Sequence, residues 1–80
     1  MKKIIVQYYA VFREGRGLGE ETVETSARTA GELYAELAAR HGFTLPASLV
    51  RASIDLSFRP LDTELAGGET VVFIPPVAGG

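Results

Sequence analysis

The chain has 80 residues, of which 46% are apolar and 22% charged, with a formal net charge of −2 and no cysteine. This length fits one domain with a single core, and the composition is that of a globular chain, not a disordered one. The lack of thiols excludes disulfides, iron–sulfur clusters and thiolate zinc sites, and 8 basic residues scattered among 10 acids form no basic stripe for nucleic acid.

Residues 4–12 alternate at period two, with Ile4, Val6, Tyr8, Ala10 and Phe12 on one face and Ile5, Gln7, Tyr9 and Val11 on the other. The pattern predicts a strand that is fully apolar on one face. The glycine-containing stretch REGRGLGEE then reads as a long hairpin loop, and EETVETSA as the return strand. In TAGELYAELAARHG, Thr29 and Glu32 have capping-box spacing, and Ala30, Leu33, Tyr34, Leu37 and Ala38 repeat at helical intervals. With Gly42 as the residue past its end, a helix is predicted over 30–41.

Beyond Pro46, LVRASID alternates Val50, Ala52 and Ile54 against Arg51, Ser53 and Asp55, which suits a strand near a sheet edge. RPLDTEL carries Pro60 and a short helical spacing of Leu61 and Leu65, Gly67 and Gly68 mark a turn, and Thr70–Ile74 reads as the last strand. The first and last strands are apolar on both faces, so they are expected side by side in the middle of a sheet, parallel and joined by a right-handed crossover. The expected class is α+β: a β-grasp, ubiquitin-like mixed sheet on one main helix, a single domain over 1–80. The sheet face away from the helix would expose Ile5, Tyr9 and either the Val72/Ile74 or the Val71/Phe73 pair, and Ile5, Tyr9 and Phe73 are assigned to a partner-binding surface.

Few residues can carry chemistry. The chain has one histidine and no cysteine, and no serine stands at a suggestive spacing from a base. His41 is expected in solvent at a helix C-terminus. Glu20 and Glu21, like Asp62 and Glu64, read as solvated surface with no metal-ligand spacing. No apolar run approaches the roughly 20 residues that span a bilayer, and the start MKKIIVQYYAVF lacks a small-residue cleavage site, so a cytoplasmic location is expected.

The end, VVFIPPVAGG, is the informative stretch. Pro75 and Pro76 cannot donate to a ladder and favour an extended path, and Gly79 and Gly80 carry no Cβ, so residues 75–80 form a thin tail. Such a tail can present its terminal carboxylate to a narrow channel in another protein, where adenylation would make it reactive. A frayed terminus is the alternative.

Pro75-Pro76-Val77 followed by Gly79-Gly80, together with YYAVFREGRG near the start, resembles the small subunit of molybdopterin synthase, a ubiquitin-like sulfur carrier of the ThiS/MoaD type. Asp55 stands where that family commonly has Asn, and Gly68-Glu69 where Gly-Asp is common; both read as turn positions. The resemblance implies that Gly80 is adenylated by an activating enzyme (MoeB-like) that consumes ATP and is then converted to a thiocarboxylate. It also implies that Pro75, Pro76, Val77, Ala78 and Gly79 carry the tail into a large subunit (MoaE-like) of a heterotetramer. The small subunit itself would bind no cofactor or metal, and the catalytic side chains would belong to its partners. A carrier for another pathway such as thiamin thiazole, a protein modifier joined to lysines, and a plain interaction module are the competing expectations.

Overall fold

The structure, a computed structural model, describes residues 1–76, and the expected Val77, Ala78, Gly79 and Gly80 of the tail lie outside the described residues. In chain order the elements are β1 (Lys2–Tyr8), α1 (Ala10–Arg16), β2 (Glu20–Thr25), α2 (Ala30–His41), a 3₁₀ turn (Ala47–Leu49), β3 (Arg51–Ile54), β4 (Ser57–Arg59) and β5 (Thr70–Ile74). They form one mixed sheet in the order β2-β1-β5-β3-β4, with β1 and β5 parallel at its centre and the other neighbours antiparallel. This is the β-grasp expected from the two strands that are apolar on both sides.

Helix α2 is built as its sequence dictates. Thr29 Oγ1 accepts from the Glu32 N–H at 3.1 Å, and Glu32 Oε1 accepts from the Arg28 N–H at 3.0 Å, so the side chains satisfy backbone donors at the helix start. Gly42 ends the helix in the left-handed region at φ 75°, donating to the Ala38 carbonyl. The stripe of Ala30, Leu33, Tyr34 and Leu37 is buried against Ile4, Val6, Tyr8, Ala52, Val71 and Phe73 of the sheet.

Four expectations are corrected. The first strand stops at Tyr8 and does not continue to Phe12: Ala10 turns the backbone to φ 51°, and α1 follows, closed by Gly17 at φ 81°. The helix carries the Phe12 ring over the core, 5.7 Å from the Tyr34 ring and 5.1 Å from that of Phe43, which a straight strand would not do. The second strand ends at Thr25, whose hydroxyl receives the Ala27 N–H at 3.0 Å and so bends the chain toward α2. Leu61 and Leu65 belong to no helix: Pro60 accepts from the Thr63 N–H in a turn, and Glu64 bridges to Thr29. Finally, β3 lies between β5 and a short β4 that the sequence did not announce, joined to β3 through Asp55 and Leu56.

Candidate functional site

Because strand side chains alternate, the register decides which residues face away from α2. In β1 these are Lys3, Ile5 and Gln7, since Ile4, Val6 and Tyr8 are buried beneath the helix. Ile5 lies opposite Thr22 and Thr70, and Gln7 opposite Glu20 and Val72. Val72 in turn faces Ser53, Ser53 faces Phe58, and Ile74 faces Arg51. The outer face is therefore an apolar strip of Ile5, Val72, Ile74 and Phe58, set among Thr22, Thr70, Ser53 and Gln7, with charges at its rim. Phe58 is 70% exposed, while Ile5 and Ile74 are half-buried by their neighbours.

Phe73, expected on this surface, is instead a core residue. It is 1% exposed, opposite Tyr8 and Ala52, with its ring 5.4 Å from that of Tyr34. In a strand that is apolar on both faces the side-chain parity is invisible, and the pairing with β1 fixes it: Phe73 in, Val72 and Ile74 out. Ile5 lies on the outer face. Tyr9 is half-exposed but leaves the strand, capping α1 beside the end of β1 rather than standing on the sheet.

The end of β5 is the place from which the C-terminal segment departs. Parallel pairing puts the C-terminal ends of β1 and β5 together, so Pro75 follows Ile74 between the start of α1 and the start of β3. Pro75 is half-buried and Pro76 exposed, and neither can extend the ladder.

A second constellation sits on the helix side of the same end of the sheet. Glu21 lies opposite Val6, where its carboxylate receives the Tyr8 hydroxyl at 2.6 Å and the Arg16 guanidinium through two bonds, at 2.8 and 2.9 Å. The Arg16 bonds, aided by the Tyr8 hydroxyl against the opposing effect of burial, push the Glu21 carboxyl down to about 2. Burial, reinforced by Glu21, raises the Tyr8 phenol well above its ordinary value. His41 has its Nε2 3.8 Å from Glu21 and its ring 5.8 Å from that of Phe43, and its side chain is 14% exposed.

Solvent was the expected place for His41, and for Glu21 too; both are enclosed because α1 folds back over this end. Burial first, then the nearby Arg16, holds His41 below its ordinary value. Tyr8, Arg16 and Glu21 are hydrogen-bonded to one another, and the cluster ties α1 to β1 and β2, with His41 at the end of α2 beside it. No group of three or more acids, histidines or cysteines that could hold a metal exists among the described residues. No helix of the described residues is long and apolar enough to cross a membrane.

The comparisons with known proteins agree with this architecture. The model of the ThiS family matches residues 6–80. No curated protein matches the chain. Among solved structures, one from Pyrococcus furiosus described as a molybdopterin converting factor, subunit 1, shares 28% identity over 96% of this chain and 100% of its own, with a TM-score of 0.76. The Haloferax volcanii small archaeal modifier protein 1 shares 17% identity over 96% of this chain and 100% of its own, at a TM-score of 0.79. The complex of subunits 1 and 2 of the molybdopterin-converting factor from Helicobacter pylori contains a chain with 22% identity, covering 98% of this chain and 99% of that one, at a TM-score of 0.65.

Proposed function

Given that the chain belongs to the ThiS family, the ubiquitin-like sulfur carriers, we propose that it is the sulfur-carrier subunit of a molybdopterin synthase. The observation that carries the reading is the build of one end of the sheet. The chain leaves β5 through Pro75 and Pro76 beside an apolar outer face, at the end of the sheet where Tyr8, Glu21 and Arg16 are hydrogen-bonded to one another. A domain so made presents its C-terminal segment and a docking surface, and leaves the chemistry to others.

In this reading a cytoplasmic activating enzyme uses ATP to convert the Gly80 carboxylate to an acyl adenylate, releasing pyrophosphate. A sulfur nucleophile displaces AMP and leaves a thiocarboxylate. A large subunit then receives Pro75, Pro76, Val77, Ala78 and Gly79 in a channel, with Gly80 at its end, while Ile5, Val72, Ile74 and Phe58 rest on that subunit's surface. Sulfur passes to a cyclic pterin precursor, and water restores the carboxylate. The chain itself holds no cofactor. The likeness to a molybdopterin converting factor at 28% identity supports the pathway, and the complex from Helicobacter pylori supports a partner subunit.

A second reading is favoured by the match to a small archaeal modifier protein over its whole length. Here the same acyl adenylate would be consumed by a lysine amine, giving an isopeptide bond. Intact mass spectrometry decides between them. The chain is incubated with its activating enzyme, ATP and a sulfur source, and then with the large subunit and pterin precursor. A gain of one sulfur for one oxygen at Gly80, lost on addition of the precursor, is expected. Lysine-linked adducts without a thiocarboxylate would overturn the carrier reading.

A further inference from the structure

The β3–β4 hairpin is unusual in what it exposes. Its two-residue turn holds Asp55 at φ 50° and Leu56 at φ 72°, both in the left-handed region where Asn and Gly are the usual occupants. Asp55 is compensated: its N–H donates to the Thr70 carbonyl at 2.9 Å, and its Oδ1 accepts from the Thr70 N–H at 3.0 Å. Leu56 has no such compensation. It is 97% exposed, so a strained backbone carries an apolar side chain straight into water. Two residues on, Phe58 is also largely exposed, on an edge strand with no buried residue.

That edge is open to pairing. Ile54 and Ser57 close the turn, so Ser57 and Arg59 direct their backbone groups to β3, and the N–H and C=O of Phe58 point outward. Beside it runs an open groove of about 360 Å³, lined by the apolar Val50, Ala52 and Leu61 and by Arg51 and Arg59. Among the described residues no carboxylate pairs with either arginine.

We propose that the β4 edge is a docking site for an extended, acidic segment of a partner protein, which pairs with Phe58 as an added strand. The segment places an apolar side chain against Leu56 and Phe58 and, on the opposite face of the added strand, a carboxylate against Arg59, which is paired with the core-side Ala52. Charge favours this occupant over a second copy of the chain, whose edge brings the same arginines and whose Asp55 is held at the Thr70 N–H. The site needs neither the tail nor its activation, and it shares only Phe58 with the face that the carrier reading gives to the large subunit.

The test is an NMR titration of the isotope-labelled full chain. The probe is a blocked hexapeptide alternating valine and glutamate, and the control alternates valine and lysine. The acidic peptide is expected to shift the amides of Leu56, Phe58 and Arg59 saturably, and the lysine peptide to leave them in place. Arg59→Glu, at an exposed position, should weaken binding by about tenfold. Leu56→Gly should also weaken it while raising the melting temperature, because glycine relieves the strain. No saturable shift at millimolar acidic peptide, or an equal response to the lysine peptide, would overturn the proposal. So would shifts at these amides on simple dilution of the peptide-free protein, which would assign the edge to a second copy.

Discussion

Replacing Glu21 with Gln removes the charge on which three elements converge, while keeping the shape of the side chain. In the folded chain the carboxyl ionises at about 2 against an ordinary value of 4.5, a difference of about 2.5 pH units. At about 1.4 kcal/mol per unit, this corresponds to about 3 kcal/mol of stability at neutral pH. The side chain is 17% exposed, so water screens the interaction only in part. The sign follows from the depressed value: the contribution is fully present above 4.5 and is lost as the pH falls toward 2. Urea melts of both proteins from pH 7 to pH 2 measure it. Glu21→Gln is expected to be about 2–3 kcal/mol less stable at pH 7, a large share of what a domain this small possesses, with the gap closing by pH 2. A gap below about 0.5 kcal/mol at pH 7, or one that persists unchanged at pH 2, would refute the reasoning.

Leu37, 0% exposed on the inner stripe of α2, should cost about 2–5 kcal/mol when truncated to Ala; a loss below about 1 kcal/mol in denaturant melts would mean that the site collapses around the smaller residue. His41 is held below its ordinary value of 6.5, so the folded chain binds its proton less readily than the unfolded one and loses stability as the pH falls through 6.5. His41→Gln should flatten that part of the stability profile, and an unchanged profile would place its source elsewhere. On the outer face, Ile5→Asp, opposite Thr22 and Thr70, should weaken association with the proposed large subunit strongly by calorimetry, because it buries an unpaired charge, whereas Tyr9→Asp, off the sheet, should act less. Equal effects would show that the interface reaches over α1.

How much of this was legible depended on whether the signal was local. Helix α2 was readable because Thr29, Glu32 and Gly42 mark its ends and its stripe has the helical period. The central pairing was readable because residues 4–12 and 70–74 alone read as apolar on both faces, although the outer face of β1 holds Lys3 and Gln7 beside Ile5. The same property hid the orientation of Phe73, which the register with Tyr8 settles. Helix α1 was masked by the alternation of YYAVF, although Gly17 held its stop signal. Strand β4 has three residues and turns on Leu56, a residue type that normally argues against a left-handed turn. The Glu21 cluster was beyond reach, since it needs the β1–β2 register and the fold-back of α1 before Tyr8, Arg16 and Glu21 can meet.

The central claim is that function resides in the terminal carboxylate of Gly80, and adding one alanine after it tests this most directly. The sheet and core lie wholly before Pro75, so the melting temperature and the docking of the outer face should not change. The reactive carbonyl moves by about 3.5 Å and a methyl group arrives beside it, a displacement large enough to disable a reaction that depends on alignment. In an assay reconstituted with the activating enzyme and large subunit, the extended chain is expected to fold, to bind, and to fail in thiocarboxylate formation or sulfur transfer. Full molybdopterin formation by the extended chain, with the added residue confirmed present by mass, would contradict the account.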